Sequence, residues 1–554
     1  MKFSDKILSQ TLVQLCLDKG IDHIVISPGS RNAPLTIGFS GNPGFKCFSI
    51  VDERCAAFFA LGMAQQLKRP VAMVCTSGSA LLNYYPAVAE AFYSDIPLIV
   101  LSADRPAAYI DIGDGQTIRQ ENVFANHILY SANCSEGEEF QIKNETQINI
   151  ALNTAIELNG PVHINVPFSE PLYHTVAHQK IWPQQVSPRP LESEGVENLD
   201  AFVEQWNSSK RKMILVGVLQ PNSVESRFVE LLANDGSVLV LTETTSNLHH
   251  PNFITAIDQL IAPLDEADFK KLQPEILLTF GGMVVSKKIK AFLRKHPPKA
   301  HWHIDPKKAY DTFFSLKHHF KTTINRFFDE FLPKTTSIKS DYQAQWLEVK
   351  RHRLQRHEKY KKEIAYSDFM VFCEIFHNLP LNIQLQLSNS ATIRYAQLFE
   401  IAPSVEVFCN RGTSGIDGST STAVGAAYAS KLPTVFLTGD LSFFYDSNAL
   451  WNQYIPKNFK IIVINNGGGG IFRILPGEKD TGVFDTFFET KHQLGAKHLS
   501  EMFGFNYSAI HEKEHLHQRL INFLNIEEGP ALLEIFTPSK VNDKILLDYF
   551  KFIS

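Results

Sequence analysis

The chain reads as an α/β protein made of three doubly wound parallel-sheet domains, and three observations predict this. Apolar runs short enough to be buried strands alternate with helical patterns along the whole chain, as they do when helices cover both faces of a parallel sheet. Two polar interruptions divide that alternation into blocks: the proline-bearing stretch Val186 to Glu194, and a charged segment from about Lys339 to Lys362. A length of 554 residues also exceeds what a single hydrophobic core supports.

The first block, residues 1–185, carries strand-like runs at His23 to Ile26, Val71 to Cys75, Leu98 to Leu101 and Val162 to Val166, with a helical pattern at Leu81 to Tyr93. Ser49 closes a further strand, and Asp52, Glu53 and Arg54 lead into a helix running through Ala56 to Leu67. The second block, residues 195–338, repeats the pattern at Met213 to Val218, Val238 to Leu241, Ile276 to Phe280 and His301 to Ile304. The third, residues 365–554, does so at Gln384 to Leu387, Val405 to Phe408, Val435 to Leu437, Ile461 to Ile464 and Ala531 to Ile535. No close sequence repeat links the three. Lys350 to Lys362, rich in Lys, Arg and His, reads as a solvated helix face.

Composition removes several functional classes. Hydrophobic content of 44% and charged content of 20% are those of an ordinary globular protein. A net charge of −5 with scattered basic residues speaks against a nucleic-acid partner. No apolar span is long enough for membrane insertion, and the opening Met1 to Lys6 leads into an amphipathic helix, so a cytoplasmic location is expected. The seven cysteines form no C-x-x-C pair, which indicates neither a disulfide frame nor a zinc knuckle.

The third block carries the strongest chemical signal. Gly439 Asp440 Leu441 Ser442 follows one apolar strand, and Asn465 Asn466 Gly467 Gly468 follows the next. Asp440 offers a carboxylate oxygen, Asn466 an amide oxygen and Gly468 a backbone carbonyl, a hard-oxygen set for Mg²⁺ with room left for water and phosphate oxygens. Neighbouring glycines let backbone N–H groups approach an anion. Either motif alone is more simply a turn after a strand; together they point to a metal-bridged diphosphate. Glu53 alone is likewise most simply a helix N-terminal acid that complements the macrodipole.

These residues resemble the thiamine-diphosphate enzyme signature, a Gly-Asp-Gly start and an Asn-Asn end, with Leu441 where most members have the third glycine. Across all three blocks the chain more closely resembles one family, the MenD or 2-succinyl-5-enolpyruvyl-6-hydroxy-3-cyclohexene-1-carboxylate synthases. The first block contributes Ser27 to Leu35, Asp52 Glu53 Arg54, Thr76 to Ala80, Ala103 Asp104 Arg105 Pro106 and Gln116 to Gln120. The third contributes Asn389 Ser390 with Arg394, Asn410 to Gly418, Gly439 to Ser442 and Gly470 Ile471 Phe472. The second matches faintly, through Phe280 Gly281 Gly282 and Lys287 Lys288. The family carries Gly-Asp-Leu-Ser at the metal site, which accounts for Leu441. Gly115 stands where some relatives have asparagine.

The resemblance implies three domains of the thiamine-diphosphate-binding type, with thiamine diphosphate and Mg²⁺ or Mn²⁺ as cofactors. Glu53 is then the catalytic glutamate, hydrogen-bonded to the pyrimidine ring and favouring the imino tautomer that takes the proton from thiazolium C2. Ser414, Gly415, Ile416, Gly439, Asp440, Leu441, Ser442 and Asn466 hold the cofactor, with Ile416 beneath it and Ile471, Phe472 and Leu475 as apolar wall. The implied reaction joins 2-oxoglutarate to isochorismate with loss of CO₂. Arg394 and Arg411 are expected on the 2-oxoglutarate side and Arg31, Arg105 and Lys287 on the isochorismate side, with Ser30, Gln116 and Ser390 as polar contacts; arginine's fork suits carboxylates. Glu53 and Asp440 lie in different blocks, and in this superfamily the cofactor usually bridges two subunits, so a homodimer or homotetramer is implied. None of the 20 histidines lies in the matched motifs, so later proton transfers fall to the cofactor's own amino or imino group unless folding brings a histidine near. Two alternatives remain open at this point: a pyruvate-using relative, which needs fewer cationic side chains, and a non-catalytic binding protein, which has no need of Glu53, Asp440 and Asn466.

Overall fold

The computed structural model describes residues 2–189, 198–474 and 481–554. Its first parallel sheet runs, edge to edge, Lys46–Ser49, His23–Ile26, Val71–Cys75, Leu98–Asp104, Val162–Pro167 and Tyr130–Asn133. The third runs Glu406–Cys409, Gln384–Leu387, Thr434–Gly439, Phe459–Asn465, Ala531–Phe536 and Asn506–Ile510. Numbered along the chain, both orders are 2-1-3-4-6-5, so a topology repeats where no sequence repeat is visible. The middle sheet, Val238–Leu241, Lys212–Val216, Ile276–Phe280, Ala300–Ile304 and Leu316–Phe320, is a five-stranded 2-1-3-4-5 version. A small antiparallel pair, Phe3–Ser4 with Thr175–Val176, ties the N-terminal end to the chain leaving the first sheet.

The strands are apolar because helices cover both faces of each sheet. In the middle domain, one face packs Ile214, Val240, Leu278 and Trp302, and the other packs Met213, Leu239, Leu277 and Leu293. The strands absent from the sequence reading, Tyr130–Asn133, Leu316–Phe320 and Asn506–Ile510, are all sheet edges. Their half-exposed, polar sequences, Lys-His-His in the middle domain for example, carry no buried-strand signal.

The first and third domains share one core. Helix Glu53–Leu67 lies against helix Ser419–Ala429, joining Phe58, Phe59 and Leu61 to Ala423, Val424 and Phe443. Glycines set the distance: a Cβ on Gly62 would stand 2.0 Å from the Thr422 carbonyl oxygen, and one on Gly425 2.0 Å from that of Phe59. This helix pair positions the two domains' strand ends relative to each other.

One sequence expectation is corrected here. The charged segment does form a helix, Tyr342–Tyr360, but it is not simply a solvated face. Arg353 and His357 are buried: Arg353 donates to the Ile553 carbonyl, and His357 bonds the Tyr549 hydroxyl at 2.8 Å. Burial pulls the His357 imidazole down to about 4. The basic run thus straps the middle domain to the C-terminal helix Asn542–Phe552. The expected linker is described only to Arg189; Lys19 and Asn153 of the first domain both bond the Val186 carbonyl, and residues 190–194 lie outside the described residues. The seven cysteines are unpaired, and among the described residues no helix is long and apolar enough to cross a membrane.

Candidate functional site

In open α/β sheets ligands bind beyond the carboxyl ends of the strands, where the strand order reverses. The candidate residues of the first and third domains lie on such edges, in two rims. The first-domain rim holds Ser30 and Arg31 after strand His23–Ile26, Glu53 after Lys46–Ser49, and Arg105 and Gln116 after Leu98–Asp104.

Glu53 occupies the first turn of its helix, and its neighbours explain its freedom. Asp52 caps the helix by accepting from the Cys55 N–H at 3.1 Å and also accepts from Asn448 Nδ2 at 2.8 Å. Arg54 donates to the Tyr445 carbonyl at 2.9 Å and lies over the Tyr445 ring. Both flanks are therefore clamped to the third domain, while the carboxylate of Glu53, a half-buried residue, makes no hydrogen bond among the described residues. Arg31 is buried and donates to the Phe168 carbonyl at 2.8 Å and to Glu170 at 3.3 Å. Arg105 lies 3.5 Å from Asp114, with its Nε buried and without a hydrogen-bond partner. Ser30 and Gln116 are exposed. The Gln116 loop is held from below by buried Gln120, which bonds the Gly78 N–H, the Ala103 carbonyl and Asn165.

The third-domain rim gathers around the reversal between Gln384–Leu387 and Thr434–Gly439. Asp440 opens a short helix and is 3% exposed. Its Oδ1 accepts from the Leu441 N–H at 2.7 Å, and its Oδ2 accepts from the Gly467 and Gly468 N–H groups at 2.9 and 3.0 Å. Gly468 has φ +153, and a Cβ there would meet the Glu489 carbonyl oxygen at 2.6 Å, so this turn requires glycine. Asn466 donates its Nδ2 to Asp368 at 2.9 Å. The preceding Asn465 is structural, tied to buried Glu534 at 2.7 Å. Ser442 bonds the Ile416 carbonyl at 2.7 Å, joining the helix that Asp440 opens to the Ser414–Ile416 loop. Asn389 braces that loop, donating to the Asn410 and Gly415 carbonyls at 2.7 Å and accepting from Arg411 Nη1 at 2.6 Å. Ser390 and Ser414 both take left-handed backbone conformations, with φ +68 and +60. Ile416 and Ile471 are half-buried and Phe472 is exposed at the rim; Leu475 lies outside the described residues.

Arg394 and Arg411 are half-buried, each with its Nε sealed from solvent and lacking a hydrogen-bond partner. Burial lowers the Arg394 pKa; Asp258 opposes that shift and Arg411 adds to it. The middle domain faces this pair with two carboxylates. Glu243 accepts from the Val285 and Ser286 N–H groups at 2.6 and 2.7 Å, and Asp258 accepts from the Ser286 hydroxyl. Burial pushes Glu243 up to about 7 against the lowering effect of those two hydrogen bonds and Arg411. Ser286 in turn caps helix Lys287–Lys295. Lys287 is exposed on the first turn of this helix, whereas Lys290, one turn on, shares with Arg411 the wall of a cavity of about 570 Å³.

Comparison with known proteins identifies the domains and the family. Residues 7–127 match the thiamine pyrophosphate enzyme N-terminal TPP binding domain, residues 167–387 the middle domain of thiamine pyrophosphate enzymes, and residues 390–535 the C-terminal TPP binding domain. Proteins named 2-succinyl-5-enolpyruvyl-6-hydroxy-3-cyclohexene-1-carboxylate synthase are 59% identical in Flavobacterium johnsoniae and 59% in Flavobacterium psychrophilum, over 98% of both chains in each case. The protein of that name in Christiangramia forsetii is 56% identical over the full length of both. The chain belongs to the 2-succinyl-5-enolpyruvyl-6-hydroxy-3-cyclohexene-1-carboxylate synthase (MenD) family.

The residues present fit the cofactor that the family's domains bind, together with a divalent cation. Asp440 is buried with no Lys or Arg partner, and Asn466 Oδ1 accepts no hydrogen bond among the described residues. Beyond Gly439 there is open space, the nearest atom to a notional Cβ being Thr392 Oγ1 at 3.9 Å. Among the described residues no group of three His, Cys, Asp or Glu side chains could hold a metal, so a cation here would draw on amide, carbonyl, water or phosphate oxygens beside Asp440.

Several site residues escaped the sequence reading. His492 reaches Asp440, its Nε2 3.3 Å from Oδ2, buried and without a hydrogen-bond partner. His492 lies outside the matched motifs, and folding brings it to this MenD-family site beside Asp440. Glu90, buried in a first-domain helix, accepts from the Gly412 and Thr413 N–H groups at 2.7 and 2.6 Å and so holds the Arg411 loop. Glu243, Asp258 and Lys290 come from the faintly matched second block and carried no motif; Asp368, in the first turn of helix Asp368–Asn378, lay in no matched motif either.

Proposed function

We propose that the chain is the synthase for which its family is named, acting in menaquinone biosynthesis: it decarboxylates 2-oxoglutarate and joins the remaining succinyl unit to isochorismate. What supports the substrate reading is that Arg394 and Arg411 follow strands Gln384–Leu387 and Glu406–Cys409, on the same sheet edge as Asp440 and Asn466, with Arg411 braced on Asn389. A dicarboxylate needs two such cationic forks beside the cofactor; a monocarboxylate such as pyruvate does not.

Thiamine diphosphate, when bound, supplies a carbon nucleophile and an electron sink. The chain's own residues do the rest. Asp440, Asn466 and the Gly468 carbonyl are the groups that would hold Mg²⁺ or Mn²⁺, whose positive charge would neutralise the cofactor's diphosphate. Ser442 keeps Ile416 in place under the cofactor, and Ser414, Gly415, Leu441, Ile471 and Phe472 complete its walls. Glu53 holds a proton at the pyrimidine nitrogen, a role for which its lack of another partner leaves it available. Arg31 and Arg105, with Ser30 and Gln116, bind isochorismate, Ser390 assists on the 2-oxoglutarate side, and Lys287 or its neighbour Lys290 adds positive charge.

The reading includes a homodimer or homotetramer in the cytoplasm. The test is CO₂ release from 2-oxoglutarate and from pyruvate, each with thiamine diphosphate and Mg²⁺. Release from 2-oxoglutarate alone is expected; equal release from pyruvate overturns the substrate assignment.

A further inference from the structure

We propose that Asp368 is the positioning residue that makes Asn466 a metal ligand, by fixing which end of its amide faces the cation. This rests on the reading of Asn466 as a ligand of the divalent metal. An asparagine amide has an oxygen end and an NH₂ end of nearly equal shape, and only the oxygen can bind Mg²⁺. Something must therefore hold the NH₂ end. Asn466 Nδ2 donates to Asp368 Oδ2 at 2.9 Å, which turns Oδ1 the other way, and Oδ1 has no donor of its own among the described residues.

Asp368 has no competing task in its own helix. It lies in the first turn of helix Asp368–Asn378, a position usually explained by the helix dipole, yet the cap is Ser367, which accepts from the Met370 N–H at 3.4 Å. The Asp368 carboxylate bonds none of the helix N–H groups. Its Oδ1 instead accepts from the Thr537 hydroxyl at 2.5 Å, and its own N–H donates to Asn542 Oδ1 at 2.9 Å. Thr537 follows strand Ala531–Phe536, and Asn542 opens the C-terminal helix. Asp368, 3% exposed, is thus pinned by two elements, its carboxylate by Thr537 and its backbone N–H by Asn542, and the carboxylate points at the Asn466 loop. Outer partners of this kind typically change metal affinity by about 10- to 100-fold when removed.

The test measures the Mg²⁺ dependence of thiamine diphosphate binding by calorimetry, without turnover, in four proteins: wild type, Asp368→Asn, Asn466→Ala, and the double exchange Asp368→Asn with Asn466→Asp. Asp368→Asn replaces a group that only accepts by an amide that can turn its NH₂ to Asn466, so nothing holds the Asn466 oxygen toward the cation and the Mg²⁺ concentration for half-maximal binding should rise about tenfold. The double exchange restores one donor and one acceptor with the charge unchanged, and both oxygens at position 466 then suit the metal, so Mg²⁺ affinity should return to within about threefold of wild type. Rescue by exchange is not expected of a residue that only fills space. If Asp368→Asn does not fold, the double exchange alone decides: near-wild-type affinity supports the proposal, and a tenfold loss overturns it. Wild-type Mg²⁺ dependence in Asp368→Asn with a loss in Asn466→Ala overturns the positioning role alone. Unchanged Mg²⁺ dependence in Asn466→Ala overturns the metal-ligand reading and the proposal with it.

Discussion

Replacing Arg411 with alanine should selectively disable use of 2-oxoglutarate. Its guanidinium is half-buried, with Nη1 on Asn389 Oδ1 at 2.6 Å and Nε sealed from solvent without a partner. Removing one member of a buried charge-assisted pair costs about 2 to 5 kcal/mol, which at 1.36 kcal/mol per decade is roughly a 30- to 5,000-fold fall in kcat/KM. The lost bond to Asn389 adds about 1 kcal/mol of loop disorder, and the same Asn389 braces Gly415, so the effect should not be near the lower limit. Arg411→Lys keeps the charge but not the fork and should fall between wild type and alanine. The assay varies 2-oxoglutarate at saturating isochorismate, with cofactor affinity measured alongside. Cofactor affinity should move far less than kcat/KM, and Arg394→Ala should behave alike. Unchanged 2-oxoglutarate kinetics in both alanine variants would refute the assignment of the arginine pair.

Glu53→Gln should retain thiamine diphosphate while slowing deuterium exchange at C2 of the bound cofactor, because an amide cannot stabilise the protonated pyrimidine nitrogen; wild-type exchange rates would contradict its role. Asp440→Ala should raise the Mg²⁺ concentration needed for cofactor binding at least about tenfold and couple the two affinities, and titrating cofactor at several Mg²⁺ concentrations would reveal either outcome. Glu243 titrates near 7 in the folded protein against an ordinary 4.5, because of burial. Between those values the folded chain keeps a proton that the unfolded chain has lost, so the contribution of Glu243 to stability is full below pH 4.5 and falls by about 3 kcal/mol as pH rises through 7. Urea unfolding midpoints should show that slope in wild type and a flatter one in Glu243→Gln; identical slopes would refute burial as the cause.

The fold was legible where burial wrote it into the chain. Strands such as Val71–Cys75 and Ile276–Phe280, covered on both faces, are apolar runs that sequence reading finds directly. Edge strands such as Leu316–Phe320 are half-wet and look like loops. The segment Tyr342–Tyr360 misled for the opposite reason: Arg353 and His357 are buried through partners near the C-terminal end, nearly two hundred residues away, which composition cannot reveal. At the site, residues in short contiguous motifs, Asp440 and Asn466 above all, stood out because turn chemistry and metal chemistry coincide there. Residues that act through those motifs did not. Glu90 reaches the Arg411 loop from the other end of the chain, and His492 meets Asp440 across an intervening turn. Their partners exist only once the strand order 2-1-3-4-6-5 has brought distant strand ends to a common edge.

The most direct test of the functional account is a mass-spectrometric product assay with 2-oxoglutarate and isochorismate supplied together, with thiamine diphosphate and Mg²⁺. The account predicts a product carrying the succinyl unit on the isochorismate ring, formed in step with CO₂ and dependent on both substrates. CO₂ release with only succinic semialdehyde as product, or no reaction of 2-oxoglutarate at all, would contradict it.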